Sequence, residues 1–374
     1  MKSNSKTLGD IIKAVDERNS DEKTDEVLGI SINKEFMPSV ANVIGTDLSA
    51  YKLVSKMQFA CNLMHVGRDE KIPMAMHLDD IPIIVSPAYF VFEVVESDAL
   101  MPEYLMIWFR RPEFDRNAWF YTDADVRGGM DKNALLDMQL PIPSITRQRE
   151  IVSEYETLAN RIRLNNQMIQ HLEATAQALY RKMFVDNIDK ENLPEGWRMG
   201  KLSELAIITM GQSPEGETYN LNGNGTIFYQ GRTDFGQRFP AARVYTTSPT
   251  RFANEGDVLL SVRAPVGDIN IAPHNCCIGR GLASLRCKTD AQGYLYYQLQ
   301  NLTNVFNVSD DEGTIFGSIS KDDLYNIEIV IPKKEDISLF ESQVSIIDNE
   351  VKLRDIEINK LAKLQSLLLA KMGR

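Results

Sequence analysis

Sliding the chain by 189 positions brings residues 130–183 onto 319–372 without a gap, and this internal repeat constrains the fold more than any other feature. Under the shift Lys132 meets Lys321, Leu135 meets Leu324, Ile142-Pro143 meets Ile331-Pro332, Ser153 meets Ser342 and Asn160 meets Asn349. Further along, Leu164, Ile169, Leu172, Leu179 and Lys182-Met183 meet Leu353, Ile358, Leu361, Leu368 and Lys371-Met372. Two amphipathic helices can share a composition by chance, but the matching prolines and lysines argue for a duplicated plan.

Each copy reads as a short strand closed by a proline, Pro143 or Pro332, and then a long helix over 146–184 or 336–372. In the first helix Ile151, Tyr155, Leu158, Ile162, Asn165, Ile169, Leu172, Ala176, Leu179 and Met183 alternate spacings of four and three. The second repeats that seam with Phe340, Val344, Ile347, Val351, Arg354, Ile358, Leu361, Gln365, Leu368 and Met372. Such heptads predict a coiled coil between the two helices. At roughly 1.5 Å per residue the first helix extends about 58 Å, the length of a spacer. Asn165 and Arg354 interrupt the apolar seam and read either as solvated breaks or as residues that fix register.

A chain of 374 residues has room for two or three cores. The spacing predicts four segments: globes at 1–144 and 186–333, each followed by a helical segment, 145–185 and 334–374. Residues 186–192 form an acidic linker, and Leu193-Pro194-Glu195-Gly196-Trp197 opens the second globe. Both globes mix strands and short helices, an α/β (α+β) class, and they resemble each other weakly. Residues 87–92 then 104–109 read as a strand and an aromatic helix, and 281–286 then 294–299 repeat that order.

Much chemistry is excluded. The P-loop spacing of glycines and lysine that surrounds phosphates is absent, and the turn Asn222-Gly223-Asn224-Gly225 opens no nucleotide-binding helix. His65, His77, His171 and His274 lie far apart, without a metal-binding spacing or a nucleophile partner. A two-metal nuclease built on Asp257 and Asp268, or on Asp69 and Glu70 beside Lys71, rests on spacing too generic to carry it. Cys61, Cys276, Cys277 and Cys287 form no CxxC pair, which fits a reducing cytoplasm. The opening residues lack the apolar core of a secretory signal, and no apolar run reaches the roughly 20 residues of a membrane span. Neither a cofactor nor a metal is expected in this chain.

The net charge of −11 argues against binding polyanions by bulk attraction, so any such site is local. Residues 1–144 carry 15 basic and 23 acidic groups, a balance of −8. Residues 228–288 reverse the sign: Arg232, Arg238, Arg243, Arg251, Arg263, Arg280, Arg286 and Lys288 stand against Asp234, Glu255, Asp257 and Asp268. The arginine fork suits a guanine edge or a phosphate in two places, although ordinary pairing with surface acids explains the same composition. Candidate DNA-contacting residues in the second globe are Gln212, Ser213, Tyr229, Gln230, Arg232, Arg263 and Arg280. In the first they are Asn62, Arg68 and Arg127, beside Gly128-Gly129, which read equally as a plain turn or as a close approach to phosphate.

With these pieces assembled, the chain resembles the specificity subunit of type I restriction–modification systems along essentially its full length. The residues that carry the resemblance are Pro141-Ile142-Pro143 followed by Arg147-Gln148-Arg149-Glu150-Ile151-Val152, and Leu193-Pro194-Glu195-Gly196-Trp197. Gly211-Gln212-Ser213-Pro214, the run from Gly256-Asp257 to Val262-Arg263, and Ala264-Pro265-Val266-Gly267 add to it. The resemblance implies two target recognition domains, each reading half of a split double-stranded DNA sequence, with the helices as spacers in an antiparallel coiled coil. It also implies a non-catalytic chain that carries two methyltransferase subunits, which bind S-adenosylmethionine, and two restriction subunits driven by ATP and Mg²⁺. At 3.4 Å per base pair the first helix would span about 17 base pairs. One departure is Lys333-Lys334-Glu335-Asp336-Ile337, which replaces the Gln-rich head of the first helix and makes the methyltransferase contact less symmetrical. The rival reading is a coiled-coil adaptor that joins proteins without touching DNA.

Overall fold

A computed structural model describes residues 5–39, 45–64, 66–122, 128–308 and 318–372. They fall into two compact units, Met1–Arg163 with Asn359–Arg374, and Leu164–Ile358.

The first unit begins with strand Ser5–Thr7, paired antiparallel with Gln139–Pro141. A one-turn helix, Leu8–Ile11, follows, and the Asp10 carboxylate accepts the Thr7 N–H at 3.0 Å, satisfying a donor that the helix start leaves open. The chain then enters an antiparallel sheet with strands in the spatial order Ile12–Val15, Phe90–Val94, Phe59–Cys61, Met74–Met76. Side chains alternate across it, as a period of two requires. Phe59, Cys61, Phe90 and Phe92 join the main core with helix Pro102–Phe109, while Ala60 and Val91 face a smaller core with Val54, Ile83 and Val85.

The second unit repeats this plan. Arg198–Lys201 pairs with Glu328–Ile331, and in the one-turn helix Leu202–Leu205 the Glu204 carboxylate accepts the Lys201 N–H at 2.8 Å. The sheet runs Ala206–Met210, Leu282–Cys287, Val258–Ser261, Ile269–Ile271, the same order and sense as in the first unit. Val258 and Leu260 face the core shared with the long helices, and Leu259 faces a second core with Tyr229, Ala253, Cys276 and Ile278. That second core is closed by a five-stranded sheet built from Thr226–Tyr229, Cys276–Ile278 and three shorter strands.

A short capped helix precedes each long one. Asp131 accepts from the Asn133 and Ala134 N–H groups ahead of Lys132–Leu136, and Ser320 Oγ accepts from Asp323 N–H ahead of Lys321–Asn326. The long helices run Ile145–Phe184 and Lys334–Lys371. None of the seam residues read from the heptads is exposed in either helix. In the first unit the start of the earlier helix (Ile151, Val152, Tyr155) shares a core with the end of the later one (Leu368, Leu369, Met372). In the second, the end of the earlier helix (Ala176, Tyr180, Phe184) shares a core with the start of the later (Ile337, Phe340, Val344). Each unit thus takes opposite ends of the two helices.

The helix heads differ as the sequence indicates. Gln148 is buried, donates to the Ala99 and Pro143 carbonyls and accepts the Met101 N–H; its counterpart 189 residues on is the apolar Ile337. All four cysteines are free and buried. Among the described residues no helix is long and apolar enough to cross a membrane, and no cluster of three or more His, Cys, Asp or Glu could hold a metal.

Candidate nucleic-acid interface

In the second globe several loops meet at one end of the sheet and are held there by buried polar groups. Asp257 accepts from Asn254 N–H (2.8 Å), Ser284 Oγ (2.7 Å) and Arg286 Nε (2.6 Å), fixing the strand start. Asp234 accepts from Gln230 N–H (2.9 Å) and Arg243 Nη2 (2.9 Å), which folds the loop after Thr226–Tyr229 back on itself. Ser261 Oγ accepts the Asp268 N–H and donates to the Pro265 carbonyl, closing the intervening loop. Gly236 and the Asn270 amide exchange two hydrogen bonds, at 3.0 and 3.1 Å, tying that loop to the sheet.

Two glycines let these loops approach. A Cβ on Gly279 or Gly281 would lie 2.9 Å from the Gln230 carbonyl oxygen, so no larger residue fits without moving the backbone. The result is an open cleft of about 710 Å³ lined by Arg232, Thr233, Gln237, Arg263 and Asp268 together with the backbone of Gly231 and Gly281. Arg263 and Arg232 face this space, and Arg280 follows Gly279 at its margin. Ser213 Oγ accepts the Arg280 N–H at 3.2 Å, so Gln212 and Ser213 adjoin Arg280, and Gln230 is exposed beside Gly231. Six of the candidates from this globe are therefore gathered at one edge.

The seventh is a correction. Tyr229 is fully buried in the smaller core, with its hydroxyl toward the Pro240 carbonyl, and a side chain without accessible surface has nothing to offer a base edge. The basic stretch also divides. Arg238 is buried against Asp348; Arg243 pairs with Asp234, Arg286 with Asp257 and Arg232 with Asp268; and Lys288 donates to the Ser203 carbonyl. Among the described residues Arg251, Arg263 and Arg280 are exposed and pair with no carboxylate. Both readings of the stretch thus apply, each to different arginines. Thr233 and Gln237 line the cleft and were missed, although their place beside Arg232 in sequence was the available signal.

The first globe has a matching place. The loop after Phe59–Cys61 leaves the same strand of the sheet as the loop after Val258–Ser261, so residues 62–64 and 66–73 stand where 262–268 do. Both loops are fastened alike: Met130 N–H donates to the Leu63 carbonyl, and Ile319 N–H, 189 residues on, donates to the Val262 carbonyl, each at 2.9 Å. Asn62 here caps a turn by accepting the Met64 N–H. Arg68 is exposed but forked onto Asp69 at 2.8 and 3.0 Å, and that hydrogen-bonded pairing raises the pKa of its guanidinium. Gly67 donates to the Gly128 carbonyl at 2.7 Å, and a Cβ on Gly67 would sit 2.8 Å from the Gly128 Cα, so both must be glycine. Arg127 lies outside the described residues.

Within the second unit Asn165 and Arg354 touch across the two helices, with Nη1 of Arg354 3.5 Å from Asn165 Oδ1. Glu350 and Glu357 flank the same guanidinium at 3.2 and 3.7 Å.

Comparison with known proteins agrees with this layout. The type I restriction modification DNA specificity domain matches residues 194–367. A curated relative from Methanocaldococcus jannaschii, described as the MjaX type I restriction enzyme specificity subunit, is 26% identical over 346 residues, covering 87% of this chain and 79% of the relative. The HindI specificity subunit of Haemophilus influenzae is 21% identical over an alignment of 453 positions, with 98% and 97% of the two chains covered. The crystal structure of a type I restriction–modification S subunit from M. genitalium superposes with a TM-score of 0.61 over 99% of this chain and 95% of that one. At 12% identity that last likeness is one of fold.

Proposed function

We propose that the chain is a specificity subunit of a type I restriction–modification system and that it reads a bipartite double-stranded DNA target without performing catalysis itself. Residues 1–144 and 186–333 are the two recognition domains, and the helical segments 145–185 and 334–374 form an antiparallel coiled coil that spaces them. The observation that carries this reading is the duplicated sheet, with a loop of the same origin at the same sheet end in both globes. A protein that reads two half-sites needs two such ends, with different side chains on each.

In the second globe Arg263 and Arg280 supply free guanidinium groups for phosphates or guanine edges, and Gln212 and Gln230 supply amides suited to adenine. Asn62, Arg68 and Arg127 belong to the corresponding surface of the first. Asn165 and Arg354 set the register of the coil. Two methyltransferase subunits, with their S-adenosylmethionine, and two restriction subunits, with ATP and Mg²⁺, assemble on this chain in the cytoplasm. Support for docking comes from the later long helix, where Leu339, Ile346, Leu353, Ile356, Leu364 and Leu367 remain exposed. Their spacing suits a partner helix, and the earlier helix exposes only Leu164 and Met168 among large apolar side chains, which favours unequal docking.

The test is a map of methylated adenines in cells that carry the chain with its methyltransferase partner. Replacing Arg263 and Arg280 by alanine should loosen one half of the recognised sequence and leave the other intact. Removing one heptad from each helix should shorten the unread gap. An adaptor without DNA readout would keep its partners and show no sequence-dependent change in either experiment.

A further inference from the structure

The first globe carries an aromatic step that its core does not explain. Trp119, Phe120 and Tyr121 end the helix Pro112–Phe120 with 48%, 79% and 52% of their surfaces exposed. The same helix already buries Phe114 and Ala118, so its core-facing side is occupied by other residues. Phe120 and Tyr121 meet edge to face, with ring centres 5.3 Å apart. Three consecutive exposed aromatic rings are costly to leave in water, and contiguous apolar surface of this kind marks a site of contact.

Its location narrows the occupant. Thr122 Oγ1 donates to the Trp119 carbonyl at 2.7 Å and lies 3.3 Å from the position a Cβ would take on Gly67. Gly67 belongs to the loop that corresponds to the second globe's Arg263 loop. The aromatic step therefore borders the first globe's counterpart of the basic cleft. Among the described residues, two of the arginines near it are already paired, Arg68 with Asp69 and Arg116 with Glu113. With the first globe at −8, attraction to phosphate has little to work with there.

We propose that Trp119, Phe120 and Tyr121 form the base-contacting edge of the first recognition domain, meeting its DNA half-site through apolar and stacking contacts where the second domain uses arginine. The inference rests on the DNA-reading function above. Aromatic groups serve this purpose by packing on thymine methyls or by wedging against a base step. Such contacts release no counterions, so they add affinity without adding salt dependence.

The experiment uses the complex with the methyltransferase partner and compares Phe120→Ala, Tyr121→Ala and the double variant, with Phe120→Tyr as the conservative control. Adenine maps should show the first half-site loosened and the second unchanged. DNA affinity should fall about tenfold or more, in the range typical of stacked aromatics, with an unaltered slope against salt. Arg263→Ala in the same assay should reduce that slope by about one. Unchanged maps and affinity in the double variant would overturn the proposal, as would its failure to co-purify with the methyltransferase, since the step would then be a protein interface. If neither the aromatic variants nor Arg263→Ala alters a sequence-specific pattern, the DNA-reading function itself fails.

Discussion

The two globes carry the same sheet but fasten it differently. In the first, Arg111, from the turn between helices Pro102–Phe109 and Pro112–Phe120, donates to the Leu369 carbonyl at 3.1 Å, and Arg110 reaches the Tyr155 hydroxyl at 3.3 Å. The acceptors on the long helices are neutral. A separate brace, Lys34, is buried inside the globe, with its ammonium 2.7 Å from Asp115 and 2.8 Å from the Ile72 carbonyl. In the second globe one residue does both jobs. Arg238, only 2% exposed, lies on the loop that lines the cleft, 2.6 Å from Asp348 on the later helix and 3.6 Å from Glu173 on the earlier. Its guanidinium also rests 3.6 Å over the Tyr296 ring. Anchoring and recognition therefore share a loop in the second globe, whereas in the first Arg111 precedes the helix whose far end carries the aromatic step. The first globe's loop is tied at Ile72 to a brace inside its own globe, whereas the second globe's loop is tied to the long helices.

The sharpest way to break this contrast is to remove the anchors. Arg238→Met leaves two partly buried carboxylates without their cation and should cost about 3 kcal/mol in urea unfolding of the second unit. Arg111→Met removes one hydrogen bond to a neutral carbonyl and an ion pair with the more exposed Glu113 and should cost less, about 1–3 kcal/mol. Equal losses would erase the distinction. Lys34→Met, which leaves Asp115 buried without its cation, should cost about 3 kcal/mol in the first unit and leave the second half-site's methylation unchanged.

A smaller effect separates the two chemistries by pH. Burial pushes the Glu173 carboxyl above its usual 4.5, with Arg238 opposing and Asp348 adding to the rise. A carboxyl held high in the folded state contributes its full stability below the usual value and loses it as pH rises through the folded-state value. Glu173→Gln removes that loss, so the variant should melt higher than the parent at pH 8 and no higher at pH 4. In the first globe Arg110→Met, which removes a donor to the neutral Tyr155 hydroxyl on the long helix, should show no matching effect. The smallest test asks where the globes are alike: Asp131→Ala and Ser320→Ala remove equivalent helix caps and should each cost about 1 kcal/mol. A clear inequality would show that the caps have diverged as the anchors have.

How much of this was legible depended on range. The long helices and their seams could be read because a heptad is local, and every seam position from Ile151 to Met372 is turned from solvent. The order of the sheet strands could not. Strands of three to six residues, such as Phe59–Cys61 and Leu282–Cys287, leave little pattern, and their pairing is set by contacts distant in sequence. Tyr229 misled because an aromatic among arginines looks like surface, while its burial comes from Ala253, Cys276 and Ile278 on other strands. Arg238 misled in the same way. Its partners lie on the long helices, and no local composition distinguishes it from Arg263.

The Asn165–Arg354 contact has a consequence for how such a chain could be divided. The two residues stand 189 positions apart, the repeat shift itself, so they hold equivalent places in the two copies. If the halves were made as separate polypeptides, two copies of the later half would set Arg354 against its twin, guanidinium against guanidinium. Two copies of the earlier half would meet amide to amide, without charge conflict but also without the cation that Asn165 now accepts from. Only the mixed pair sets the guanidinium against a neutral acceptor, so a solution of severed halves should sort into unlike partners, and the covalent link preserves that preference.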